Sequence, residues 1–144
     1  MQRANGVGLL NYLSPCSKHL APSSPNMARF RFEDLQIWRE ACRIGDELDD
    51  LADALDAKRK RRYAEQLRAA ALSVSNNIAE GSGSSSDKDF RNFLNIAHRS
   101  VAENANIVLF LQRKKVVTAE QADRLLEELR VLSSKIIAFS RSLD

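Results

Sequence analysis

The chain has 144 residues, of which 44 % are hydrophobic and 28 % charged, with a formal net charge of +3. That size and balance fit one ordinary globular domain and leave little room for two. All three prolines fall before Met27, and from Met27 onward the only glycines are Gly45, Gly81 and Gly83. Sheet proteins punctuate their strands with turn residues, so a stretch this poor in them points away from a β architecture and towards long helices. No run of the sequence approaches the roughly 18 uncharged apolar residues that a membrane-spanning helix needs.

Residues 1–26 read as a different kind of polypeptide, rich in Gly, Asn, Ser and Pro. Their apolar run Val7 to Leu10 is short, is interrupted by Gly8 and follows the single base Arg3, so a signal peptide is not expected. The expectation is a disordered tail, or an upstream start codon with the folded unit beginning at Met27 and running through residues 27–144. Cys16 falls in this tail and Cys42 inside a helical pattern, which is no disulfide framework and suits a reducing cytoplasm. Arg3 and Lys18 are the only charges before Met27, leaving 20 of the 22 bases against all 19 acids. A basic field over the whole domain is therefore absent, and any nucleic-acid binding has to come from local patches.

Four helices follow from the 3.6-residue period and its punctuation. The first is expected from about Glu33 to Leu55, striped by Leu35, Trp38, Cys42, Leu48, Leu51 and Leu55. The second runs from about Arg61 to Glu80, with Tyr63, Leu67, Ala70, Ala71, Val74 and Ile78 inside and Gly81 as its C-cap. The third starts at Ser86 or Asp87, where Ser86 and Asp89 have the capping spacing, and reaches about Arg113. The fourth opens with Thr118 and Gln121 and continues to the end, striped by Ala122, Leu125, Leu129, Leu132, Ile136 and Phe139. Short connections imply antiparallel neighbours, hence an all-α, up-down four-helix bundle.

The third helix has more apolar surface than one stripe requires. Phe90, Phe93, Leu94, Ala97, Val101 and Val108 serve a core, while Ile96, Ile107, Leu109 and Phe110 add other directions. A helix that is apolar most of the way round is buried on more than one side, so these four are the expected oligomer contacts, with a helix end tucked under the following loop as the alternative.

Charges come in blocks. Asp46, Glu47, Asp49, Asp50, Asp53 and Asp56 precede Lys58, Arg59, Lys60, Arg61 and Arg62. Such runs are usually solvated helix ends, but five consecutive bases at a loop also suit phosphate contacts, and opposite blocks this close can pair between subunits. Tyr63 is the only aromatic near the block, so base stacking is not indicated. With Arg68, Lys114 and Lys115, these bases form the candidate nucleic-acid surface.

Signs of catalysis are few. There is no Glu-x-x-His for a di-metal bundle site, and Gly81-Ser82-Gly83 lacks the lysine of a phosphate loop, so no metal or cofactor is expected. Cys42 fits a core stripe better than a nucleophile paired with His98. Arg91 and His98 flank six residues, which resembles the Arg-x4–6-His motif of the HEPN ribonucleases and stands as the enzymatic alternative. Ser73, Asn77 and Glu80 share a face of the second helix, and Ser100, Glu103 and Asn104 lie together on the third. They form an expected structural polar cluster, with an Arg68–Glu103 bridge and with a polar ligand pocket as the alternative.

The run Gln66-Leu67-Arg68-Ala69-Ala70 through Ser73-Val74-Ser75-Asn76-Asn77-Ile78-Ala79-Glu80-Gly81 resembles the hallmark of the 23S rRNA intervening-sequence proteins. Phe32-Glu33-Asp34-Leu35 with Trp38, and Phe90, Phe93-Leu94, Ile96-Ala97, Ser100 and Glu103, are similar to that family's first and third helices. The likeness covers nearly all of Met27 to about Leu132. Ser75, where the family usually has proline, and Asn104, where an apolar residue is common, depart from it. The resemblance implies a bacterial four-helix bundle assembled as a homopentamer. It also implies kinship with the accessory variability determinant of diversity-generating retroelements, a basic pentamer that binds nucleic acid and a reverse transcriptase. The sequence as a whole reads as a non-enzymatic cytoplasmic scaffold or adaptor for RNA or a nucleic-acid enzyme. A purely structural protein-interaction module is the other non-enzymatic reading.

Overall fold

The computed structural model describes residues 29–143. The tail expected over residues 1–26, with Cys16, lies outside the described residues. A short 3-10 turn, Arg31–Asp34, leads into four helices: α1 Gln36–Ala57, α2 Arg61–Ser82, α3 Asp87–Arg113 and α4 Ala119–Arg141. No strand occurs among the described residues. Each helix packs on the next, and α4 also meets α1. No helix among the described residues is long and apolar enough to cross a membrane.

The core is a single cluster to which every helix contributes. Leu48 and Leu55 from α1, Leu67 and Ile78 from α2, Leu94 and Leu111 from α3, and Leu129, Leu132 and Ile136 from α4 are fully buried. Each such side chain contributes about 1.5–3 kcal/mol through burial. The α1 stripe is rotated from the one expected: Ile37, Ala41, Ile44 and Ala52 are buried, whereas Leu35, Trp38 and Leu51 are only partly so. Along the buried face Ala41 and Ala52 alternate with Ile37, Ile44, Leu48 and Leu55, all equally covered. Trp38 instead packs on Phe32 of the leading turn, ring centroids 4.9 Å apart.

The helix ends follow local chemistry with two corrections. Ser86 accepts from the Asp89 amide, and Thr118 and Gln121 form a complete capping box. Gly81, however, is a buried residue inside α2 and not its C-cap, which is Gly83. A Cβ at Gly81 would stand 2.6 Å from the Phe90 ring and 2.8 Å from Phe93 Cβ, so the glycine is there to let α3 approach. The first helix also begins later than expected, because residues 31–34 wind as the 3-10 turn.

Candidate nucleic-acid interface

The α1–α2 and α3–α4 connections lie at the same end of the bundle, where Lys58 Nζ donates to the Val116 carbonyl at 3.3 Å. Both preceding helices stop the same way. The Lys60 amide reaches back to the Leu55 carbonyl at 2.8 Å, and the Val116 amide to the Leu111 carbonyl at 2.9 Å. These are Schellman closures, whose left-handed residue is usually glycine. Here it is Arg59, at φ 59°, and Lys115, at φ 55°. The two connections thus bring Lys58, Arg59, Lys60, Arg61, Arg62, Arg113, Lys114 and Lys115 to one pole. Among the described residues none of these eight forms an ion pair. The pole also holds the first turn of α2, which has no acid and no side-chain cap. Helix-dipole preference runs against bases there, so the positive charges reinforce the helix terminus instead of balancing it.

Arg68, predicted as part of this surface, is placed elsewhere. Its guanidinium donates to Asp49 at 2.8 Å, to Asp56 at 2.8 Å and to Asp53. The three carboxylates hold the guanidinium more firmly charged than an ordinary arginine. The expected Arg68–Glu103 bridge is therefore absent: Arg68, Ala71 and Ser75 face α1, whereas Ser73 and Asn77 face α3. Acids in the last turns of α1 oppose its dipole, and Arg68 offsets them from α2.

The polar cluster forms in a smaller version. Ser73 Oγ and Ser100 Oγ are 2.8 Å apart across the α2–α3 seam. Asn77 Nδ2 donates to Ser73 Oγ at 3.2 Å and to the Ser73 carbonyl at 2.7 Å, and Ser100 Oγ donates to the Ile96 carbonyl at 3.1 Å. The donors run in one direction, from Asn77 to Ser73 to Ser100 to the backbone, which satisfies every hydroxyl. Glu80 and Glu103 are exposed and stand outside this network. Asn104, fully buried, donates to the Ser100 carbonyl at 2.9 Å, and its Oδ1 has no partner among the described residues.

Of the four expected oligomer contacts, Ile96, Leu109 and Phe110 are exposed, and Ile107 is partly buried against the core. Leu72 is 60 % exposed, a surface residue that the sequence pattern gave no reason to single out. Tyr63, expected inside, is also exposed, and its ring lies 5.6 Å from that of Phe110.

Of the candidate catalytic groups, Cys42 lies on α1 and both Arg91 and His98 lie on α3. Cys42 sits half-buried in a groove between α1 and α2 lined by Ala41, Gly45, Leu72 and Ser75. Burial, then the charge of Asp46, pushes its thiol up, against a smaller opposite pull from Ser75. A thiol so held is a poor nucleophile. Arg91 donates to the Leu143 carbonyl at 3.1 Å, and His98 is partly buried two turns further along α3. No group of His, Cys, Asp and Glu that could hold a metal ion occurs among the described residues.

Residues 33–138 match the family of the 23S rRNA-intervening sequence protein. The chain belongs to this family. The whole basic pole and the polar seam fall inside the matched region. A solved structure of a protein of unknown function from the S23 ribosomal protein family of Bacteroides thetaiotaomicron superposes with a TM-score of 0.69. It is 22 % identical, and the alignment covers 72 % of this chain and 97 % of that one. At that identity the likeness speaks to the fold. No curated protein matches the chain.

Proposed function

We propose that this protein is a non-enzymatic, cytoplasmic adaptor, an up-down bundle assembled as a homo-oligomer, which binds RNA through the pole formed by its two basic connections. The observation that supports the reading is the gathering of eight bases, unpaired among the described residues, from segments more than fifty positions apart in the sequence. Ion-paired bases contribute little to a polyanion, whereas free ones release counterions from every phosphate they meet. Arg68 drops out of the surface because its charge is already balanced. The exposed apolar residues Leu72 and Ile96 support self-assembly, with a pentamer the number implied by the family. Repetition of the pole in an oligomer multiplies a modest affinity through avidity.

The test is fluorescence anisotropy of labelled RNA with the full chain at low and physiological salt, on material whose mass is fixed by light scattering. The expected result is an oligomer whose affinity falls steeply with salt, with Lys58→Ala and Arg61→Ala each reducing the slope by about 1. An oligomer that binds no RNA at low salt overturns the reading.

A further inference from the structure

We propose that Tyr63 and Phe110 form a stacking platform for an unpaired RNA base, so that the basic pole selects single-stranded over duplex RNA. The inference rests on the reading of the pole as an RNA site and names which form of RNA it takes. Tyr63 stands in the first turn of α2 and Phe110 in the last turn of α3, which places the pair at the edge of the pole. Their rings are 5.6 Å apart at 35°, and the two residues are 36 % and 37 % exposed. Two aromatic rings left this open cost hydrophobic free energy unless something covers them.

Charge decides what covers them. Lys114 Nζ stands 5.5 Å from the centroid of the Phe110 ring, and Arg62 adjoins Tyr63 in the chain. Gln66, exposed one turn beyond Tyr63, offers an amide that can both donate to and accept from a base edge. An apolar face rimmed by cations and one neutral amide suits a flat ring tied to a phosphate. A duplex keeps its base faces in its own stack and can use only the cations, whereas an unpaired strand can use both. A second copy docking here about a two-fold axis brings eight bases against eight, which is repulsive, and a head-to-tail neighbour covering the rings would betray itself as an oligomer lost with them. Leu72 and Ile96 lie more than two helical turns from the pair along their helices and remain available for assembly.

The experiment titrates the full chain into an oligoadenylate carrying 2-aminopurine, alone and as a duplex with oligouridylate, and follows both anisotropy and 2-aminopurine emission. Wild-type protein is expected to prefer the single strand and to quench its 2-aminopurine. Tyr63→Leu and Phe110→Leu, which keep apolar bulk at each position, should weaken single-strand binding by at least about fivefold. They should leave duplex affinity and the salt slope unchanged. Lys114→Ala should weaken both forms together. Equal affinity for the two RNAs, or leucine variants that bind the single strand as wild type does, overturns the platform while a salt-dependent affinity leaves the pole standing. Leucine variants that lose the oligomer by light scattering also overturn it, assigning the rings to a subunit contact. Absence of binding to either RNA removes the underlying reading and the platform with it.

Discussion

Arg59 and Lys115 share one backbone conformation, φ 59° and 55°, at the same end of the bundle, each closing the helix before it. A side chain in the left-handed region costs about 1–2 kcal/mol relative to glycine. Neither side chain forms an ion pair among the described residues, so folding alone gives no reason to keep a base at either position. Arg59→Gly and Lys115→Gly are therefore expected to raise stability by about 1 kcal/mol each, read as a higher urea midpoint at unchanged m-value. The same variants should weaken RNA binding and flatten its salt dependence. A fall in stability on either substitution would show that the basic side chain holds the fold, contrary to this account.

The two glycines of α1 and α2 make a matched pair. Gly81 lies under Phe90 and Phe93, where an added methyl meets ring carbon at 2.6 Å, whereas Gly45 faces open space. Gly81→Ala forces α2 and α3 apart and should cost about 1–3 kcal/mol, outweighing the gain in helix propensity. Gly45→Ala has no such opposition and should gain about 0.5–1 kcal/mol. Urea unfolding of the two variants, expected to shift in opposite directions, checks the contrast.

Much of this architecture is written in local sequence, and what is not depends on the third dimension. Helix existence, the Ser86 and Thr118 caps and the α4 stripe follow from periodicity and short-range hydrogen bonding. The basic block at residues 58–62 is equally plain, and Lys114 and Lys115 join it as the other run of bases next to a loop, but the addition of Arg113 and the meeting of the two connections at one pole require the structure. Arg68 shows the same limit from the other side. Its spacing places it level with Glu103, yet a rotation of about 100° per residue decides whether it faces α3 or α1. The Tyr63–Phe110 contact joins residues 47 positions apart, so a scan for aromatics interleaved with bases along the chain finds only one of the two rings. Gly81 misleads because a glycine near a helix end suits either a C-cap or a close approach, and only the position of Phe90 distinguishes them.

Asn104 is fully buried beside Ser100, with its Oδ1 unpartnered among the described residues. An unsatisfied buried carbonyl costs about 1–3 kcal/mol, and an apolar residue of similar shape removes that cost. Asn104→Leu is expected to stabilise the chain by about 1 kcal/mol or more, while Asn104→Ala should destabilise it by leaving a cavity. A buried polar residue kept at such a cost has its best-attested use in fixing register and subunit number. The leucine variant should accordingly be more stable but give a broadened mass distribution in light scattering. A unique wild-type mass in that variant would remove the register role.

Cys42 provides a pH-dependent check on the α1–α2 groove. Its thiol is raised first by burial and second by Asp46, with Ser75 pulling weakly the other way. With the folded-state pKa above the unfolded value, the protonated thiol's contribution to stability is complete below the ordinary thiol pKa and is lost as pH rises through the folded pKa. In a Cys16→Ser background, the rate of iodoacetamide alkylation at Cys42 should reach its midpoint at a higher pH than free cysteine does. Asp46→Asn should lower that midpoint without returning it to the free value, because burial is the larger cause. Ser75→Ala should raise it further by removing the hydroxyl that pulls the thiol the other way. A wild-type midpoint at or below that of free cysteine, followed by mass spectrometry of the alkylated chain, would mean the groove is open to water and the packing of Cys42 against Ser75 does not persist.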